Sequence, residues 1–213
     1  MEELRRRVDR EVFDYRQLVD CLRAYSKPRD KIGALMTAGA IVRVKKGLYV
    51  FGESWRRHPV NRELLANLIY GPSYISLEYA LSHHGMIPER VAAVTSVTSG
   101  RPRRFQTPFE LFTYRPISLA AYAIGIAQEQ SGPDSVLIAT PEKALADFIC
   151  ADRRFRPSAP ADYAAYLHDD LRIAPERLAK LDLKSLDAIA RGYATPRLAM
   201  LAAYLREARR RRR

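Results

Sequence analysis

The stretch SKPRDKIGALMTAGAIVRVKKGLYVF, Ser26 to Phe51, leaves little freedom in how this chain begins to fold. It predicts one short helix that ends at Gly39, then two short strands folded back on a basic turn. Ser26 can accept a hydrogen bond from a first-turn amide, and Pro28 suits that turn because the early amides have no intrahelical partner to lose. Ile32, Leu35 and Met36 recur at i, i+3 and i+4, while Lys27, Asp30, Lys31, Ala34 and Thr37 fall towards the other side. Ile41 to Val44 is rich in β-branched residues, Lys45, Lys46 and Gly47 supply a turn, and Leu48 to Phe51 returns as a hairpin. A helix followed directly by a hairpin predicts a winged helix-turn-helix.

The residues before Ser26 supply the missing helices. Residues 2 to 12 alternate charges at helical spacing, with Leu4 and Val8 turned inward. Asp14 caps a second expected helix, Tyr15 to Tyr25, whose inner positions are Leu18, Val19 and Leu22. Glu53 to Pro59 lacks periodicity and reads as a linker, so the expected division is a DNA-binding domain over 1–53 and a second domain over 60–213.

In the second part, Leu64, Leu65, Leu68 and Ile69 form the inner face of a helix, and Ser76 to Gly85 forms another. Strand signals follow at 92–98, 103–106, 109–114, 122–127 and 136–139, separated by Gly-Arg-Pro and Ser-Gly-Pro-Asp breakers. Thr140-Pro141-Glu142 opens a helix, and helical patterns fill the remainder: 161–169, 175–181, 183–192 and 196 onward. The expected class is α+β, with a winged helix-turn-helix followed by a mixed domain carrying a small sheet and a helical C-terminal part.

Charge narrows the function. The net charge is +12. Six arginines and one glutamate lie in residues 206–213, and without them 30 basic residues still face 23 acidic ones, a net +7. A basic body favours a polyanion, most simply nucleic acid. Cys21 and Cys150 are too few and too far apart for a metal-ligand pattern and read as buried thiols. No apolar leader or membrane-length run stands out, so a cytoplasmic location is expected. The arginine tail is expected to be disordered, adding at most nonspecific affinity.

Three stretches carry a resemblance to a known family: YISLEYALSHHGMIPE (74 to 89), VTSVTSGRPRRFQTP (94 to 108) and ATPEKALADFI (139 to 149), behind the segment ending in VRVKKGLYVF. Together and in this order they resemble the AbiEi-type antitoxins of bacterial type IV toxin-antitoxin systems. The likeness is close over roughly residues 13 to 150 and loose in the helical tail. It implies an N-terminal winged helix that binds double-stranded DNA of its own promoter as a transcriptional autorepressor. It also implies a C-terminal domain that counteracts a cognate nucleotidyltransferase-type toxin, with no catalysis of its own and no cofactor.

The candidate DNA-binding residues are Ser26, Lys27, Arg29, Lys31, Arg43, Lys45 and Lys46. A helix with short outer side chains can enter the major groove while its basic ends reach phosphate or guanine edges, although winged helices also mediate protein contacts. Arg101, Arg103, Arg104 and Phe105 read as a hairpin tip that could anchor an acidic partner; a charged, solvated loop explains them as well. His83 and His84 invite a metal or nuclease reading with Glu78, but adjacent helix positions do not converge and a packed histidine is the plainer account. Lys143 and Asp147, at i and i+4, suit either a surface salt bridge or a catalytic pair. No catalytic or metal residue is therefore assigned. The alternative from another class is an enzyme acting on nucleic acid, with the winged helix positioning substrate and His83, His84, Glu78 or Asp147 acting on it.

Overall fold

Charge alternation sustains a first helix, α1 (Glu2–Arg7), only as far as Arg7. The expected helix to residue 12 stops because Val8 turns extended, and Val12–Asp14 becomes a strand, β1, instead. The second helix, α2 (Tyr15–Cys21), starts on a reciprocal cap: Asp14 accepts the Gln17 amide at 2.8 Å while the Gln17 side chain accepts the Asp14 amide at 2.9 Å. Such caps contribute about 1 kcal/mol. The third helix, α3 (Pro28–Thr37), opens on Pro28 as expected, but Lys27 rather than Ser26 occupies the cap position and no side chain caps it. Gly39, at φ +67°, closes α3 by donating to the Met36 carbonyl, followed by Ala40 donating to Leu35. The hairpin β2 (Ile41–Lys45) and β3 (Leu48–Phe51) follows, and the sheet order is β1-β3-β2, all antiparallel.

Alternation across this sheet divides its side chains between two cores. Phe13, Ile41, Tyr49 and Phe51 join Leu4, Leu18, Leu22, Ile32 and Leu35 of α1 to α3. Val12, Val44, Leu48 and Val50 belong instead to the large core of the rest of the chain. Strand β3 is therefore buried on both faces. The segment expected as a linker makes one 3₁₀ turn, Glu53–Trp55, and is then tied back. Glu11, ion-paired with Arg5 at 2.9 Å, accepts the amides of Arg57 at 3.1 Å and His58 at 3.2 Å.

The second region begins with α4 (Arg62–Ile69), capped by Asn61. Leu64, Leu65 and Ile69 face inward, whereas Leu68, expected inside, is 46% exposed. Then come β4 (Ser73–Ile75), α5 (Leu77–His83), β5 (Val94–Thr98), β6 (Arg103–Gln106), β7 (Leu111–Pro116), α6 (Leu119–Tyr122), β8 (Ile126–Ser131), β9 (Asp134–Ala139) and α7 (Pro141–Ala151). The six strands form one mixed sheet in the order β6-β7-β5-β4-β9-β8, with β4/β9 and β5/β7 parallel. Central strands β4 and β5 are buried at every residue, while the edges β6 and β8 are largely polar, which discourages pairing with another chain. The strand expected at 122–127 starts later because the Ala-rich run at 119–123 prefers a helical turn.

A short helix, α8 (Tyr163–Ala165), passes into one π-helical turn at Tyr166–Asp170. The chain ends in α9 (Pro175–Lys180), α10 (Leu183–Tyr193) and α11 (Pro196–Arg211). The arginine run is thus helical rather than disordered as far as Arg211: Arg206 pairs with Asp187, and Arg209 donates to the carbonyls of Ala179 and Leu181. The computed structural model describes residues 1–211; the expectation for Arg212 and Arg213 lies outside the described residues. Among the described residues no helix is long and apolar enough to cross a membrane.

Candidate nucleic-acid interface and two polar clusters

The first turn of α3 projects Lys27 and Arg29 into solvent beside exposed Ser26. Lys31 is half-buried, its ammonium 5.0 Å from the centroid of the Tyr25 ring, so it is held at the same end of α3 by a cation-π contact. Further along the helix Ala34 and Thr37 remain exposed and short, so a groove wall could approach the backbone there. Arg43 pairs in register with Tyr49 and is exposed.

The turn between β2 and β3 separates its two lysines. Lys46 is exposed. Lys45 turns the other way, donates to the Ile69 carbonyl oxygen at the end of α4, and burial lowers its pKa. The turn is also fastened on the α2 side, where the Tyr15 amide donates to the Gly47 carbonyl at 3.0 Å. Of the six expected cations, Lys27, Arg29, Arg43 and Lys46 are exposed and Lys31 is half-buried, whereas Lys45 is committed to the second region.

The arginines expected on a hairpin tip are arranged differently. Strand β7 lies between β5 and β6, so residues 99–102 form a crossover to an edge strand rather than a hairpin turn. Arg101 is on that crossover, and Arg103 and Arg104 are adjacent on β6, so they project from opposite faces of the sheet. Phe105 is not available as an anchor: its ring packs against Tyr114 at 5.8 Å and Tyr70 at 6.2 Å. Beside the crossover, an open cleft of about 680 Å³ is bordered by Pro102, Arg115, Arg153, Arg154 and Glu78. Arg115 and Arg154 were not foreseen because their neighbourhood depends on β7 meeting the end of α7.

Lys143 and Asp147 are not a surface pair. Both side chains are fully buried, 3.0 Å apart. Asp147 also accepts from Ser76 Oγ at 2.6 Å, Tyr193 at 2.5 Å and Tyr74 at 2.9 Å, while Lys143 Nζ donates to the Ala121 carbonyl at 2.6 Å. Ser76 is thus spent on Asp147 and does not cap α5 with its side chain. Thr95 serves there instead, accepting the Tyr79 amide at 3.1 Å and donating to the Ser76 carbonyl. Burial lowers the Lys143 pKa against the opposing pull of Asp147, and burial raises both tyrosines, with Asp147 adding to it. Gly125, at φ +80°, makes room: a Cβ there would come within 2.8 Å of Lys143 Cβ. Cys150, half-buried nearby, has its thiol pushed up to about 12, chiefly by burial; Cys21 is also half-buried and raised. The thiols are less enclosed than expected.

The histidines make a second cluster with partners other than Glu78. His83 is held between Glu129 Oε2, 3.0 Å from Nε2, and Glu63 Oε1, 3.5 Å from Nδ1. Glu63 also accepts from Tyr79 at 3.2 Å and from Ser131. The hydrogen bond with His83 holds Glu63 down to about 2, and the same bond raises His83 to about 9. His84 Nε2 lies 2.7 Å from the Ala139 carbonyl oxygen. Glu78 sits elsewhere, 3.9 Å from Arg115. Glu63 and Glu129 are 66 positions apart and give no spacing signal; only the pairing of β8 with β9 beside α4 and α5 brings them together.

With this geometry in hand, the chain can be set beside known proteins. It shares its fold with a solved protein. The crystal structure of the RV2827C protein from Mycobacterium tuberculosis superimposes with a TM-score of 0.59 at 17% identity, covering 96% of this chain and 74% of that one. At that identity the likeness concerns the fold alone. No family model matches the chain, and no curated protein does.

Proposed function

We propose that the chain is a cytoplasmic, DNA-binding autorepressor of AbiEi type whose first 53 residues read the promoter and whose remainder counteracts a nucleotidyltransferase-type toxin. The observation that supports this reading is the order α1-β1-α2-α3-β2-β3 with strands arranged β1-β3-β2, an order that a winged helix would have, together with the exposure of Lys27, Arg29, Arg43 and Lys46. In it α2 and α3 make the helix-turn-helix pair, α3 enters the major groove, and Lys27, Arg29 and Lys31 contact phosphates or guanine edges. Arg43 and Lys46 follow the backbone from the wing, and Ser26 supplies a hydroxyl at the mouth of the groove.

The antitoxin role rests on the resemblance in sequence and on the basic margin of the second sheet. Arg115, Arg153 and Arg154 border an open cleft that fits an acidic protein face better than a small molecule, and Arg101, Arg103 and Arg104 lie exposed on the adjoining crossover and edge strand. The enzymatic alternative asks that His83, His84, Glu78 and Asp147 act together. Asp147 is sealed in the core, Glu78 borders the arginine cleft and the histidines face β8, so a shared pocket for them is not what these contacts favour. The experiment is paired. The full chain is titrated onto DNA from upstream of its own reading frame, and is co-expressed with the adjacent frame if that encodes a nucleotidyltransferase. Promoter binding with rescue of growth supports the reading; rescue without DNA binding, or neither, overturns it.

A further inference from the structure

The histidine cluster has the layout of a metal centre. Two elements supply it: His83 and His84 come from the end of α5 and Glu129 from edge strand β8, and one ligand-type atom from each residue lies within 4.8 Å of the other two. We propose that His83, His84 and Glu129 bind one divalent ion of the borderline class, typified by zinc.

The surrounding groups are those that orient metal ligands. A ligating imidazole generally gives its other N–H to a carboxylate or a backbone carbonyl, which fixes the ring and makes the ligating nitrogen a better donor. His83 has that partner in Glu63, on the Nδ1 side, leaving Nε2 aimed at Glu129. Glu63 is itself held by Tyr79 and Ser131. His84 has it in the Ala139 carbonyl, so a neutral ring carries its lone pair on Nδ1. An ordinary packed histidine needs one such partner; here two adjacent histidines each have one, and a further carboxylate, Glu129, lies 3.0 Å from His83.

The donor set selects the ion. Two imidazoles and one carboxylate suit zinc, nickel or cobalt, whereas magnesium and calcium ask for more oxygen ligands than this margin of the sheet offers. His83 is exposed and Glu129 is half-exposed, so a water or a partner's side chain can complete the coordination.

The test is calorimetric titration of the full, EDTA-treated and desalted chain with zinc chloride, repeated with cobalt to follow the visible ligand-field bands. One ion per chain is expected. His83→Gln and Glu129→Gln should each weaken binding by roughly 100-fold, and Glu63→Gln, which removes only the orienting partner, by about 10-fold to 100-fold. His168→Gln, whose ring lies against the Ile173 carbonyl and Tyr204 rather than the cluster, should bind as the parent does. Glu129 is on an edge strand, so its variant carries the test should His83→Gln fail to fold by circular dichroism. Absence of stoichiometric binding, or equal affinity in the Glu129→Gln and parent chains, would overturn the proposal.

Discussion

The two halves of the molecule use charge in opposite ways. Around α3 and the β2–β3 turn, Lys27, Arg29, Arg43 and Lys46 face solvent, and among the described residues none of them is ion-paired with a carboxylate. Around α7, Asp147 takes four donors and Lys143 has two acceptors, with neither side chain touching water. A solvated cation can be lent to a ligand at small cost, because its neighbours do not depend on it. A buried pair cannot, since losing one partner strands the other in a medium that does not solvate it. The difference separates solvated cations from charges that hold the second region together, and Lys45 and Lys46 show it at adjacent positions.

The sharpest break in that comparison is Asp147→Ala. It leaves Lys143 and three hydroxyls without their acceptor, and roughly 3 to 5 kcal/mol of stability should be lost in urea denaturation. Lys46→Ala should stay within about 0.5 kcal/mol in the same experiment. A similar loss for both would erase the distinction.

Phe105 gives the next largest effect. Its ring is packed against Tyr70 and Tyr114, so Phe105→Ala should lower stability by about 2 kcal/mol, a fraction of the full cost of emptying a core aromatic site. Changing Arg101, Arg103 and Arg104 together to Ala should leave the denaturation midpoint nearly unchanged while weakening binding to the proposed toxin partner by about 2 kcal/mol. If the triple variant unfolds instead, the arginines belong with the architecture.

The smallest effect is a pH dependence, measured in EDTA. His83 is raised from 6.5 to about 9, so the stability it adds is complete below pH 6.5 and is lost as pH rises through 9. Glu63 is lowered from 4.5 to about 2, so its share is complete above pH 4.5 and is lost as pH falls through 2. The urea midpoint of the parent should therefore decline from pH 6 to pH 9.5, and His83→Gln should remove that part of the slope. Both groups are partly exposed, so the change is modest.

Local features of the sequence translated well into local structure. The Asp14 and Thr140 caps, the Pro28 start and the Gly39 stop need only neighbours in the chain, and all four occur. What could not be read depended on distant partners. Val12–Asp14 is a strand only because β3 offers it an edge, and Lys143 is buried only because Tyr74, Tyr193 and the α6 carbonyl enclose it. The spacing i, i+4 is the same for a surface pair and a core pair. The exposure of Lys27, Arg29, Arg43 and Lys46 is legible because exposed charges follow helical and strand periodicity, whereas the side that Lys45 takes is decided by where α4 ends. The crossover that puts β7 between β5 and β6 has no signature in residues 99–102, so the arginines seemed to share a turn that the topology does not contain.

The division between lent and committed charge is tested most directly by the salt dependence of promoter binding. With Lys27, Arg29, Lys31, Arg43 and Lys46 on phosphates, log K should fall against log salt with a slope near −4.5 for about five contacts. Lys46→Ala should reduce that slope by about one, and Lys45→Ala should leave it alone while costing about 1 kcal/mol of stability. A salt-independent affinity, or a slope that responds to Lys45 and not to Lys46, would contradict the account.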